Sequence, residues 1–218
     1  VQRRLERAML TAAMDDPTAH IAAADPAMAA LVDEVGPCTM ALRRQPGGYF
    51  AALVRSILYQ QLAGKTAAAI HARFLALFPG RRPTPEGVLA LPDEAMRGAG
   101  LSNAKLLSIK DLSAKVLDGT VRLDGISRRP DDEIVERLSQ VRGIGRWTAE
   151  MFLMFQLGRP DVWPTGDYGV RKGWAMVHGR PDALPTPAEL EAAGEAYRPY
   201  RSVAAWYCWR AVDVSPPA

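Results

Sequence analysis

The sequence predicts an all-α protein, a compact bundle of about ten helices in two lobes with a cleft between them. Ala, Leu and Arg are the commonest of the 218 residues, and such side chains lose little freedom in a helix. Apolar residues recur at three- and four-residue spacing in segment after segment, the period of a helix with one buried face. Strand-like alternation of β-branched and polar residues is rare, and the breaks between periodic segments fall at Pro and Gly.

The stretch "YFAALVRSILYQQLAGKTAAAIHARFLALFPG" carries two helices. Phe50, Leu53, Val54, Ile57 and Leu58 form one apolar stripe. Ala67, Ile70, Phe74, Leu77 and Phe78 form a second after Gly64, which Pro79-Gly80 stops. Further helices are expected over residues 85–91, 92–99, 103–117, 131–140, 147–157, 168–178, 187–196 and 201–212, joined by short Pro/Gly links. "GTVRLDGISRRPDD" is the one longer irregular connection. Neither repeats nor low-complexity tracts interrupt the chain, so residues 1–218 read as one domain built from two helical lobes.

Composition excludes several classes. The longest apolar runs, "AALVRSILYQQLAG" and "SVAAWYCW", fall short of a membrane span or are broken by charge, and the charged start "VQRRLERAML" carries no secretory signal. The expectation is a protein without membrane contact, in the cytoplasm or on the nucleoid. Cys38 and Cys208 are the only cysteines and the histidines are scattered, so neither zinc nor an iron–sulfur cluster is expected; both thiols read as buried. A net charge of +3 with a pI near 9.0 permits a nucleic-acid partner without demanding one. "LAGKT" is not a phosphate-binding P-loop, because the position five before Gly64 is Tyr59 rather than Gly.

The chemistry concentrates in "VRGIGRWTAEMFLMFQLGRPDVWPTGDYGV". Ile134, Val135 and Leu138 give one helix its buried face, "VRGIG" turns the chain, and Trp147 leads a second helix whose Met151, Phe152 and Phe155 can pack back on the first. This is a helix-hairpin-helix over residues 131–157. Gly143 and Gly145 let the backbone turn sharply and aim N–H groups outward, a concavity suited to one phosphate; an ordinary αα-turn is the plainer reading. Asp167 ends the loop 158–168 just before another helix, where capping is its common job. A carboxylate held there can also face positive charge that develops in a reaction.

Five segments in order, "SILYQQLAGKTAAAIHARF", "GLSNAKLLSIKDLSAKV", "VRGIGRWTAEMFLMF", "PTGDYGVRKGW" and "YRPYRSVAAWYCWR", resemble the helix-hairpin-helix superfamily of DNA base-excision glycosylases. Among its branches the chain is most similar to 3-methyladenine DNA glycosylase II. The resemblance implies that Asp167 is the catalytic carboxylate. It implies that the hairpin, with Gly143, Ile144, Gly145 and Arg146, grips a DNA phosphate, with Na⁺ or K⁺ held by the backbone carbonyls of Ser139, Val141 and Gly143. Gln60, Leu101 or Asn103 would fill the gap left by a flipped base. Trp147, Trp209, Tyr168 and Tyr59 are the expected aromatic wall of the base pocket, while Trp206 is expected in the core. Members that also nick DNA carry a nucleophilic Lys where this chain has Trp147, so no lyase step is expected. Lys172 is read as structural or DNA-facing.

The resemblance further implies a monomer acting on double-stranded DNA with damaged bases, without a required cofactor. As a departure from longer relatives, which carry a β-rich N-terminal domain, this sequence enters helices almost at once, and that domain is expected to be absent. A 3-methyladenine nucleotide is cationic, so its glycosidic bond is already weakened and one carboxylate is enough to stabilise the oxocarbenium-like sugar. Stacking on an electron-rich wall adds a cation–π attraction of about 0.5–2 kcal/mol. Met151 stands where some relatives have an aromatic residue, and Gly166 where some have a second Asp; both bear on lesion range. The alternatives are a non-catalytic hairpin module that only holds DNA, and the same chemistry on uracil or an oxidised purine.

Overall fold

Two Asp-Pro steps open the fold. In the computed structural model, which describes residues 16–40, 48–62 and 64–214, α1 (Pro17–Ala24) and α2 (Pro26–Val35) each begin on a Pro behind an Asp N-cap. Pro's fixed φ suits the first helical position, and the Asp side chain takes an otherwise orphaned N–H. Asp16 accepts from Thr18 at 2.9 Å and Asp25 from Ala27 at 2.9 Å. The striped segments form α3 (Gly48–Tyr59) and α4 (Gly64–Leu75). Leu53, Val54, Ile57 and Leu58 are buried as their spacing predicts, and so are Ala67, Ile70 and Phe74. α4 ends before the expected stop: Leu77 and Phe78 lie in a turn beyond it, and Pro79-Gly80 opens a 3₁₀ turn, Pro79–Arg81. Phe78 stays buried by packing on Phe74, ring centroids 5.0 Å apart.

The chain continues through α5 (Pro85–Ala90), α6 (Asp93–Gly98), α7 (Asn103–Leu117), α8 (Asp131–Ser139), α9 (Arg146–Met151), α10 (Tyr168–Val177), α11 (Pro187–Gly194) and α12 (Arg201–Val214). Thr84, Ser102 and Thr186 cap α5, α7 and α11 with their side chains. Every regular element among the described residues is helical, and none is long and apolar enough to cross a membrane.

One expected helix is not regular. The segment anticipated over 147–157 starts at Arg146 and passes into a π-helical stretch, Phe152–Gln156, closed by the Leu157 N–H on the Phe152 carbonyl at 3.1 Å. The wider turn rotates the side chains. Of the trio expected to pack back on α8, only Phe152 is buried; Met151 is half-buried and Phe155 is 36% exposed.

The chain divides into two compact units. The unit Arg43–Gly158 holds α3 to α9 around Leu53, Phe74, Leu106, Ile109, Leu138 and Phe152. The unit formed by Val1–Leu42 with Arg159–Ala218 holds α1, α2 and α10 to α12 around Ile21, Met28, Val170, Leu190 and Tyr207. Cys208 is buried there and Cys38 only half-buried; both are free thiols, and burial pushes each upward in pKa. Asp25 also braces this unit: its Oδ2 accepts from the Tyr197 hydroxyl at 2.5 Å and meets His178 Nε2 at 2.9 Å, with His178 stacked on Trp174. Burial alone would raise the Asp25 carboxyl, but hydrogen bonds from Tyr197, the Ala27 N–H and His178 hold it below the ordinary carboxylate value.

Candidate active site

The hairpin is pinned from beneath and open above. α8 buries Ile134, Val135 and Leu138, and in the turn Val141 and Ile144 are 2% and 3% exposed, while Gly143, Gly145 and Arg146 lie exposed. Gly143 has φ 75°, and a Cβ there would stand 2.5 Å from Ser108 Oγ. Both backbone and close approach therefore demand glycine. Gly145 differs, with φ −95° and open space where its Cβ would be. Its bareness keeps clear the start of α9, which no side chain caps; the positive end of a helix there suits an anion. Ile144 corrects one expectation: its side chain is in the core and its N–H donates to the Val141 carbonyl at 3.0 Å, so it offers an approaching phosphate neither.

Within the same unit, α3, α4 and α9 wall an open cavity of about 1390 Å³. Trp147, 46% exposed, lines it together with Met151 and Phe155. Arg55, His71, Arg81 and Arg82 also line it, and among the described residues no carboxylate does. Tyr59 is not the bare plate expected: the Arg55 guanidinium sits 4.4 Å from its ring centroid and His71 meets it edge-on at 5.9 Å. A cationic base would find a cation already stacked there. Burial, then the Arg55 charge, lowers the His71 pKa, so that ring adds no further charge at neutral pH.

Asp167 sits half-buried at the head of α10. Its Oδ1 accepts the Val170 N–H at 2.8 Å and the Trp209 indole N–H at 2.9 Å. The edge of the Trp209 ring thus holds the carboxylate. The preceding loop is tied down throughout. The buried Arg201 guanidinium grips the Asp161 carboxylate at 2.8 Å and the Asp161 carbonyl at 3.0 Å. Ser202 Oγ donates to the Arg159 carbonyl at 2.8 Å and accepts from the Val162 N–H at 2.9 Å, and the Trp163 indole donates to Leu190 at 2.7 Å. Tyr168, next to the carboxylate, is 66% exposed. The Lys172 ammonium donates to the Pro181 carbonyl at 2.8 Å. Trp206 is half-buried, edge-on to Tyr207 with Arg210 over its ring, rather than deep in the core.

Two residues expected to fill a gap in DNA are engaged elsewhere. Leu101, 5% exposed, closes α6: Gly100 takes φ 101°, the Leu101 N–H reaches the Met96 carbonyl at 3.3 Å, and the Gly100 N–H reaches Arg97 at 2.8 Å. That is a Schellman motif, whose apolar residue folds inward. Gln60 is a strut, its amide donating to the Gly143 carbonyl at 2.9 Å and to Thr148 Oγ1 at 3.2 Å. Lys105 Nζ locks the same corner through the carbonyls of Leu58 and Gln60 at 2.6 and 2.9 Å. Gln61, next to this strut, is exposed with φ 54°, and Asn103 is exposed on the first turn of α7.

Among the described residues no group of three or more His, Cys, Asp and Glu could hold a metal ion. The carbonyls read as seats for a monovalent cation are partly engaged, Gly143 by Gln60 and Val141 by Ile144. A carbonyl oxygen has two lone pairs, and Ser139 ends a helix where carbonyls lack intrahelical partners, so the donor set still fits Na⁺ or K⁺.

Residues 54–199 match the HhH-GPD superfamily of base excision DNA repair proteins. The chain is 38% identical over 160 residues to DNA-3-methyladenine glycosylase 1 of Schizosaccharomyces pombe, covering 72% of this chain and 70% of that protein. Its structure is similar to that of the Schizosaccharomyces pombe 3-methyladenine DNA glycosylase in complex with abasic DNA, with TM-score 0.82 and 32% identity over 93% of this chain and 98% of that one. A DNA-3-methyladenine glycosidase from Bacillus halodurans is equally similar, with TM-score 0.82 and 33% identity over 93% and 91% of the two chains.

Proposed function

The chain belongs to the HhH-GPD superfamily of base excision DNA repair proteins, as a DNA glycosylase, and on that premise we propose that it excises alkylated bases of the 3-methyladenine type, with Asp167 as its reacting carboxylate. The observation that carries this reading is Asp167 itself, a carboxylate held by two donors on one oxygen at the end of a braced loop. Such preorganised charge costs no reorganisation when the positive sugar develops.

The nucleotide is flipped from the duplex, its C1′–N bond breaks with the electron pair leaving on the base, and water adds to C1′ as its proton is lost. Asp167 stabilises the oxocarbenium-like sugar. Trp147 stacks on the cationic base. The exposed hairpin turn at Gly143, Gly145 and Arg146 holds a phosphate without reading sequence. A monovalent ion on the Ser139, Val141 and Gly143 carbonyls would add positive charge at that phosphate. Gln61, exposed in a left-handed conformation, is read as the residue that enters the gap. With Trp147 in place of a lysine no Schiff base forms, and one active carboxylate per chain suits a monomer on damaged double-stranded DNA in the cytoplasm or nucleoid.

Incubating the protein with methylated DNA and identifying released bases by mass is expected to show 3-methyladenine release without strand cleavage. Release of no base would favour a module that only binds; release of only uracil or oxidised purines would move the lesion class; cleavage without added alkali would overturn the monofunctional assignment. The hairpin has its own test. Gly145→Leu is expected to leave the melting temperature unchanged, because space is open there, yet to weaken binding about tenfold on every DNA sequence alike. A sequence-selective loss would count against a phosphate seat.

A further inference from the structure

We propose that Trp209 is a positioning residue for the reaction: its indole N–H fixes the Asp167 carboxylate, and a Gly-x-x-x-Gly face on α10 sets the distance at which it does so. This rests on the reading of Asp167 as the reacting carboxylate. The Val170 N–H on Oδ1, at 2.8 Å, is an ordinary helix cap. The second donor comes from α12, 42 residues along the chain, and reaches the same oxygen at 2.9 Å. Two donors converging on Oδ1 set the rotation of the carboxylate.

The approach of the indole has a cause in sequence. Gly169 and Gly173 stand four residues apart on α10 and therefore share a face. A Cβ on Gly173 would lie 1.8 Å from the Cys208 carbonyl oxygen, and one on Gly169 would lie 2.8 Å from Trp209 Cδ1 and 3.1 Å from Asp167 Oδ1. α12 thus rests backbone to backbone on α10, with Cys208 against one glycine and Trp209 against the other. Any side chain at position 169 would lever the indole off the carboxylate. Positioning uses the edge of the ring, whereas stacking on a base would use its face, so the two roles separate chemically.

The test replaces Trp209 by 3-benzothienylalanine, in which sulfur takes the place of the N–H and ring shape is kept. Single-turnover base release is expected to fall about tenfold, while the dissociation constant for abasic-site DNA stays within about twofold and the melting temperature holds. Gly169→Ala is expected to slow release similarly. The Trp209 indole N–H resonance is expected to move between the wild-type chain and Asp167→Asn, because its acceptor loses its charge, a readout independent of activity. Native release by the sulfur isostere, or an indole resonance indifferent to Asp167→Asn, would overturn the proposal. If instead Asp167→Asn releases base at the native rate, the underlying assignment of Asp167 fails, and this inference with it.

Discussion

Asp167→Asn is expected to reduce release of 3-methyladenine to background while leaving DNA binding intact or tighter. The substitution keeps the shape and, at the cap, the function, since Asn serves as an N-cap as well as Asp. Its side-chain oxygen can still accept from Val170 and Trp209, the two donors that hold Oδ1 at 2.8 and 2.9 Å. The start of α10 therefore persists, and lost activity cannot be charged to unfolding. What disappears is the negative charge that faces the developing sugar cation; losing one preorganised electrostatic contact of this kind costs on the order of 10²-fold or more in rate. The same charge repels a phosphate backbone, so its removal does not weaken association. Single-turnover release and fluorescence anisotropy on the same DNA separate the two effects. Unchanged release would sink the assignment.

The Asp167 cap and the hairpin turn were legible in sequence because their stereochemistry is local. A Gly-x-Gly between two apolar stripes and an Asp ahead of a helix carry their own stereochemistry, and Gly143 shows the positive φ that such a turn requires. The α1 and α2 pair was not among the expected helices, although "DDPT" and "ADPA" each set an N-cap before Pro. Side-chain partners from distant parts of the chain were not legible. Nothing around Trp209 announces a carboxylate partner, because that contact depends on how closely α12 can lie on α10. Gln60 looked like a loop residue aimed at DNA, yet it closes on Gly143, 83 residues away.

Leu101 was misread for a different reason. An apolar residue after Gly in "GAGLSNAK" resembles an exposed turn tip, whereas Gly-Leu at a helix end is also the signature of a Schellman closure, and the backbone geometry selects the second. The π stretch after Met151 has no signal in hydrophobic spacing either, since one extra residue per turn shifts the pattern by less than the tolerance of a short apolar run. Both errors fall where a helix ends or changes pitch, places where hydrophobic spacing carries no signal.

Gly173→Ala is expected to be the most damaging single methyl that can be added to this unit. The new Cβ would fall 1.8 Å from the Cys208 carbonyl oxygen and 2.5 Å from its carbon, and these are backbone atoms that cannot swing aside as the tip of a side chain could. α10 and α12 must part along their contact, opening space around the buried Val170, Ala204 and Cys208. Overpacking a core costs about 1–3 kcal/mol, occasionally more; with backbone on one side, about 3 kcal/mol is expected, a large share of the stability of an ordinary domain. For a chain of this size that corresponds to a melting temperature lower by about 6–12 °C. Gly98→Ala is the matched control, a helical glycine with open space around its missing Cβ, and is expected to keep or raise the melting temperature. Base release should fail in Gly173→Ala even below its melting point, because the separation that relieves the clash also draws the Trp209 indole away from Asp167. A Gly173→Ala protein with native melting temperature and native release would show that the spacing of these two helices is set elsewhere.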